Sequence, residues 1–234
     1  MENNLTNYVW LGDFFKVFIP AGLAYWFGRR QYLIKRDHEQ ITKRYLENGI
    51  DVIVEGIEHA LGVFRENYAH SLRILKTFRN KKNAGISPSP EDYATDCFLR
   101  YKQELFYSAP FCKLIQLCGE EAEIFHDQTQ HLFAFVESAT NFFQYDMCVA
   151  LKEFVEGNRI KADAKTLSDE YLKEVKDYSD KSHKYYDLIS ELQKIAFVLE
   201  TKPIRYRNLK KFRDRQEIKQ TLENVKNIFK NSDS

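Results

Sequence analysis

Apolar residues recurring at intervals of three and four constrain this chain more than any other feature. Tyr171, Val175, Tyr178, Ser182, Tyr185, Ile189, Leu192, Ala196 and Leu199 alternate spacings of four and three without error. That is a heptad register, which only an α-helix gathers onto one face. Ile50, Ile53, Ile57, Leu61, Phe64, Tyr68, Leu72, Leu75 and Phe78 repeat the pattern, and so do Phe125, Thr129, Leu132, Val136, Thr140, Phe143, Met147, Leu151 and Phe154. Ile218, Leu222, Val225 and Phe229 mark a last short helix. No strand-period segment of comparable length competes with them. Eighteen Phe and fourteen Tyr against nine Gly and five Pro describe a chain of few turns and bulky helix faces. The pattern predicts an all-α fold, an antiparallel bundle of four or five long helices over residues 49–234. Three tyrosines and a serine on the heptad seam favour packing within that bundle over an autonomous coiled-coil dimer.

Breaks between the helices are read from turn residues. Asn48-Gly49 is the expected stop of a first helix, and residues 80–90, with their Lys, Asn, Gly, Ser and Pro, have the composition of an exposed loop. Ser89, Pro90 and Glu91 read as a cap followed by proline at the first helical position, opening a helix expected to run toward Pro110. A short apolar piece, residues 111–117, reaches Gly119. Gly157-Asn158 and Pro203 end the next two helices.

Residues 10–27 form an apolar stretch of eighteen residues, about 27 Å as a helix against roughly 30 Å of bilayer hydrocarbon. Tyr8 and Trp10 stand at one end, Tyr25 and Trp26 at the other, as interfacial aromatics do. Residues 1–8 contain an acid and no base, so the positive n-region of a cleaved signal is missing and the segment is expected to stay on the protein. Asp13, Lys16 and Pro20 share one helix face. If the helix spans, that face meets another protein helix in an oligomer. If the helix lies on the surface, the polar face points to water while Phe14, Phe15, Phe18, Ile19 and Leu23 enter the headgroup boundary. Burial in a soluble domain is the remaining alternative. The expected organisation is a membrane segment over 1–30, a basic stalk over 31–48 and a helical body over 49–234.

A net charge of +1 conveys nothing about the whole molecule, but its distribution does. Residues 29–44 carry six Lys or Arg against two acids, including Arg29, Arg30, Lys35 and Arg36; residues 202–230 carry ten against three, including Arg205, Arg207, Lys210, Lys211, Arg213 and Arg215. The first stretch orients the segment by the positive-inside rule, with the body expected in the cytoplasm of a bacterial-type cell, at the inner membrane or peripheral on its cytoplasmic face. The second stretch, interleaved with Tyr206 and Phe212, suits an anionic lipid leaflet or RNA.

Side chains with catalytic or metal-binding potential are scattered. Glu123 with His126, Asp180 with His183, and Glu55, Glu58 and His59 fall short of the carboxylate-histidine set of a di-iron bundle, and no metal or cofactor is expected. Cys97, Cys112, Cys118 and Cys148 form no Cys-x-x-Cys pair and read as small buried hydrophobes. Arg65-Glu66-Asn67-Tyr68-Ala69-His70 resembles the Arg-x4-6-His signature of the HEPN family of all-helical ribonucleases and nucleotide-binding proteins. The resemblance covers these six residues. It implies Arg65 on a scissile phosphate and His70 in acid-base transfer, across a dimer.

The leading expectation is a membrane-anchored or membrane-associated helical interaction protein that oligomerises or binds a protein partner, a membrane-perturbing effector being one version. The alternatives are a soluble HEPN-like ribonuclease using Arg65 and His70, and a protein that binds RNA through its basic C-terminal region.

Overall fold

The computed structural model describes the backbone of residues 5–93, 95–100, 108–157, 163–201 and 212–230. Side chains are described for residues 25, 27–32 and, within the later segments, from residue 49 onward except 90, 91, 96, 108 and 109. The described backbone is helical throughout, apart from turns and short connections. Helix α1 runs from Leu5 to Asn83, and two single 3-10 turns follow at Pro90–Tyr93 and Thr95–Cys97. Helix α2 (Ser108–Cys118) leads through a 3-10 turn at Glu120–Ala122 into α3 (Glu123–Asn141), which continues through a π-helical turn (Phe142–Met147) into α4 (Cys148–Val155). Helices α5 (Ala164–Thr201) and α6 (Gln216–Lys230) complete the order.

Contacts between named residues give the helix directions. Phe64 meets Phe135 and Phe143, and Phe78 meets Phe154, so α3–α4 run parallel to α1. Arg65 pairs with Tyr186 and Arg79 with Asp169, so α5 runs against α1. Helix α6 turns back again, setting Phe229 against Tyr185 and Asn224 against Glu191. The expected antiparallel arrangement therefore holds only in part. Helix α2 lies against α1 near Gly49, so the chain is back at that level of α1 before α3 begins, which makes the α1 and α3–α4 pair parallel.

Three sequence expectations are corrected. Asn48-Gly49 does not end the first helix: α1 continues through it, with Ile50 and Ile53 extending the buried stripe. Gly49 is itself buried, and a Cβ there would lie 3.7 Å from Cδ of Lys113 on α2, so this glycine sits in a helix contact. Over the described part of the helix expected between Pro90 and Pro110, the chain forms the two 3-10 turns and a non-helical stretch at 98–100; residues 101–107 lie outside the described residues. Pro110 lies in the first turn of α2, where its missing N–H costs nothing. Burial of all four cysteines holds for Cys118 and Cys148 but not for Cys97 and Cys112, which are exposed.

The Pro90–Tyr93 turn begins as its capping residues require. The Ser89 amide donates to Asp92 Oδ2 at 2.6 Å and the Asp92 amide to the Ser89 carbonyl at 2.9 Å. Beyond the second turn, Leu99 is held by Asn67. This side chain, 1% exposed in the middle of α1, accepts from the Leu99 amide at 2.8 Å and donates to the Leu99 carbonyl at 2.9 Å. It also donates to Thr140 Oγ1 at 2.9 Å. An amide side chain thus takes the place of the backbone partner that Leu99 would have had in a helix.

The end of α1 is a Schellman closure. Gly85 adopts φ 70°, the Ile86 amide reaches the Lys81 carbonyl at 2.8 Å, and the Gly85 amide reaches Lys82 at 3.0 Å.

The heptad residues of α5 face the core as their spacing requires. Leu167, Leu188, Ile195 and Val198 are buried beside them, a stripe too wide for a two-stranded zipper and suited to packing on both α1 and α6. Ser182 fits the seam because its hydroxyl donates to the Ser179 carbonyl of its own helix. The tyrosines pack as rings, Tyr178 and Tyr185 against Phe135 and Tyr171 against Phe142.

A π-helical turn joins α3 to α4, and Phe142, Phe143, Met147 and Cys148 are all buried across it.

Candidate functional site

The N-terminal part of α1 is where the sequence concentrates its apolar and basic residues. Tyr25 is 70%, Phe27 53% and Tyr32 66% exposed, and Gly28, Arg29, Arg30 and Gln31 between them are exposed as well. Six consecutive exposed residues, 27–32, cover more than one full turn, so no face of the helix is covered there. Tyr25, Arg29 and Tyr32 follow at four and three and form one stripe. Tyr32, assigned from sequence to a polar stalk, belongs with this group, and the four-three spacing that links it to Tyr25 was the available signal. Aromatic rings with two guanidinium groups beside them can sit at a lipid headgroup boundary, rings toward the acyl chains and cations on phosphate.

Asp13, Phe14, Phe15, Lys16, Phe18, Ile19, Pro20 and Trp26 lie on the same helix, but their side chains are outside the described residues, as are those of Lys35 and Arg36. Among the described residues no helix is long and apolar enough to cross a membrane. The spanning helix expected over 10–27 thus gains no support from the fold, and Asp13 and Lys16 are the charges that set it apart from a plain apolar span.

Of the basic residues from Arg205 to Arg215, the two that are described, Arg213 and Arg215, are each engaged with the fold. Arg205, Arg207, Lys210 and Lys211 lie outside the described residues. Arg213 closes the end of α2: its guanidinium donates to the carbonyls of Gln116 and Leu117, the last turn of a helix, where a cation is favoured. Arg215 lies over the Phe212 ring, 5.6 Å from its centroid. Phe212 is buried in the core, which removes it from the set of rings that could stack on a base.

Arg65 and His70 are not brought together. Arg65 is exposed and donates to the Tyr186 hydroxyl at 3.1 Å, which holds its guanidinium pKa above the usual value. His70 packs edge-on against Phe98, 4.9 Å between centroids. Five residues apart on one helix, they are separated by about 140° around the axis. Asn67, between them, is committed to Leu99 and Thr140.

The carboxylate-histidine pairs are equally dispersed. Glu55, Glu58, His59, Glu123, Asp180 and His183 are exposed, and His126 packs against Phe111. No three His, Cys, Asp or Glu converge among the described residues. Burial pushes the thiols of Cys118 and Cys148 up to about 12, so neither supplies a thiolate near neutrality. Comparison with protein families, characterised proteins and solved structures finds no match to this chain.

Proposed function

We propose that this chain is a membrane-associated helical interaction protein. The N-terminal part of α1 contacts lipid, and the helical body from residue 49 onward meets a partner or a second copy. One observation carries the reading: a helical turn exposed on every face bears Tyr25, Phe27 and Tyr32 together with Arg29 and Arg30. A free helix in water has no reason to keep three large aromatics, whereas at an anionic headgroup boundary rings and guanidinium groups are both satisfied. The positive-inside rule applied to Arg29 and Arg30 supports a following body on the cytoplasmic side of a bacterial-type inner membrane. Because α1 is continuous, an event at the lipid end would be felt mechanically in the stretch that forms the core.

Vesicle flotation tests this reading. The full chain is expected to float with vesicles containing anionic phospholipid and less well with zwitterionic ones. The Tyr25→Ser, Phe27→Ser, Tyr32→Ser triple variant should float poorly with either, and Arg29→Glu with Arg30→Glu should lose the anionic preference. A full chain that stays in the dense fraction with both vesicle types rules the proposal out. Self-association of the chain without lipid, lost in the triple variant, would assign the same aromatics to a second copy instead.

A further inference from the structure

The widened π-helical turn borders a cleft of about 300 Å³ lined by Arg100, Phe133, Glu137, Asn141, Gln144 and Tyr145, with Thr140 in its wall. This is the small end of the range for ligand pockets. We propose that the cleft binds a small zwitterion, a molecule of free amino-acid size carrying a carboxylate and an ammonium group. The proposal is independent of lipid contact by the N-terminal helix.

Charge is the first argument. Arg100 and Glu137 line the same cleft, yet among the described residues neither forms an ion pair. The described hydrogen bond of the Arg100 guanidinium is to the Tyr145 hydroxyl, at 3.3 Å. A planar guanidinium with donors to spare suits a carboxylate, which it can hold by two parallel hydrogen bonds. Glu137 supplies the opposite charge for an ammonium, and it disfavours phosphate, whose second negative charge would stand against the carboxylate.

Preorganisation is the second argument. The residue before Arg100 is fixed by the paired hydrogen bonds from Asn67, and the same Asn67 amide reaches Thr140 in the wall. The core therefore ties down both sides of the cleft through one buried side chain, as binding geometry requires. Glu137, Asn141 and Gln144, spaced by four and three, share a face. Gln144 donates its amide to the Thr95 carbonyl at 3.4 Å, leaving its side-chain oxygen as an acceptor for an ammonium. Tyr145 and Gln144 belong to the π-helical turn, a local geometry that recurs at functional sites. Phe133 gives an apolar wall for a ligand side chain.

Thermal unfolding of the full chain with each common amino acid in turn, and separately with inorganic phosphate and with acetate, tests the proposal. At least one amino acid is expected to raise Tm in proportion to the logarithm of its concentration. Arg100→Gln and Glu137→Gln should each weaken that binding, read by calorimetric titration, by at least about tenfold. Both side chains are exposed, so the unliganded variants should melt as the parent does. The absence of a shift with any amino acid overturns the proposal. So does an equal shift with phosphate or acetate, or binding that survives both substitutions.

Discussion

Replacing Asn67 with alanine removes the buried side chain that pairs with the Leu99 backbone. Three hydrogen bonds disappear: two with the Leu99 backbone, at 2.8 and 2.9 Å, and one to Thr140 at 2.9 Å. Each is worth about 1 kcal/mol net, and buried partners left unpaired cost more. Leu99 is itself exposed and its amide can turn to water, which limits the extra loss. The sum is about 3 kcal/mol, a large share of the roughly 5–15 kcal/mol that holds a domain folded. For a chain of this size that corresponds to a Tm lower by about 6–12 °C. Circular dichroism melts and urea titration measure it, with Thr140→Val as the partial variant, expected to cost about 1 kcal/mol because Asn67 keeps both bonds to Leu99. An Asn67→Ala protein within about 2 °C of the parent would refute the argument that this amide organises the connection. Equal losses for the two variants would refute the division between its partners.

Gly62 lies inside α1, and a Cβ there would meet nothing within 4 Å, so Gly62→Ala is expected to raise stability by about 0.5–1 kcal/mol in urea titration. A loss would mean that the groove lined by Glu58, Arg65 and Tyr186 closes more tightly than its geometry shows. Of the four cysteines, Cys97 and Cys112 should react with a thiol reagent in the native protein, while Cys118 and Cys148 should react only after unfolding. Mass spectrometry of labelled peptides reads this directly. The Asp92 carboxyl is held below its usual range, first by the hydrogen bond from Lys81 and then by the Ser89 amide and hydroxyl. Its contribution is therefore complete above the ordinary aspartate pKa, near 4, and fades as pH falls through the lower folded value. Asp92→Asn should flatten the stability profile in that acidic window and leave the slope near neutrality unchanged.

Sequence alone determined the helices whose faces are set by local repetition. The seam of α5, the stripe of α1 from Ile50 to Phe78, the break within residues 80–90 and the glycines at 119 and 157 were legible because periodicity and left-handed turns are properties of neighbouring residues. The exposed aromatic and basic group on α1 was also visible, apart from Tyr32, since clustering of residue types needs no fold. Tertiary structure decided the rest. Residues 89–91 carry helix-starting signals, yet Leu99 is paired with an amide thirty-two positions away rather than with a helix neighbour, and no short window of sequence contains both partners. Arg213 reads as one more cation in a basic run until α2 brings two carbonyls to it. The π-helical turn and the cleft beside it were not legible either, because the spacing of Phe143, Met147 and Leu151 recurs at Ile53, Ile57 and Leu61 in α1, where the helix stays regular, so spacing alone does not mark a widened turn.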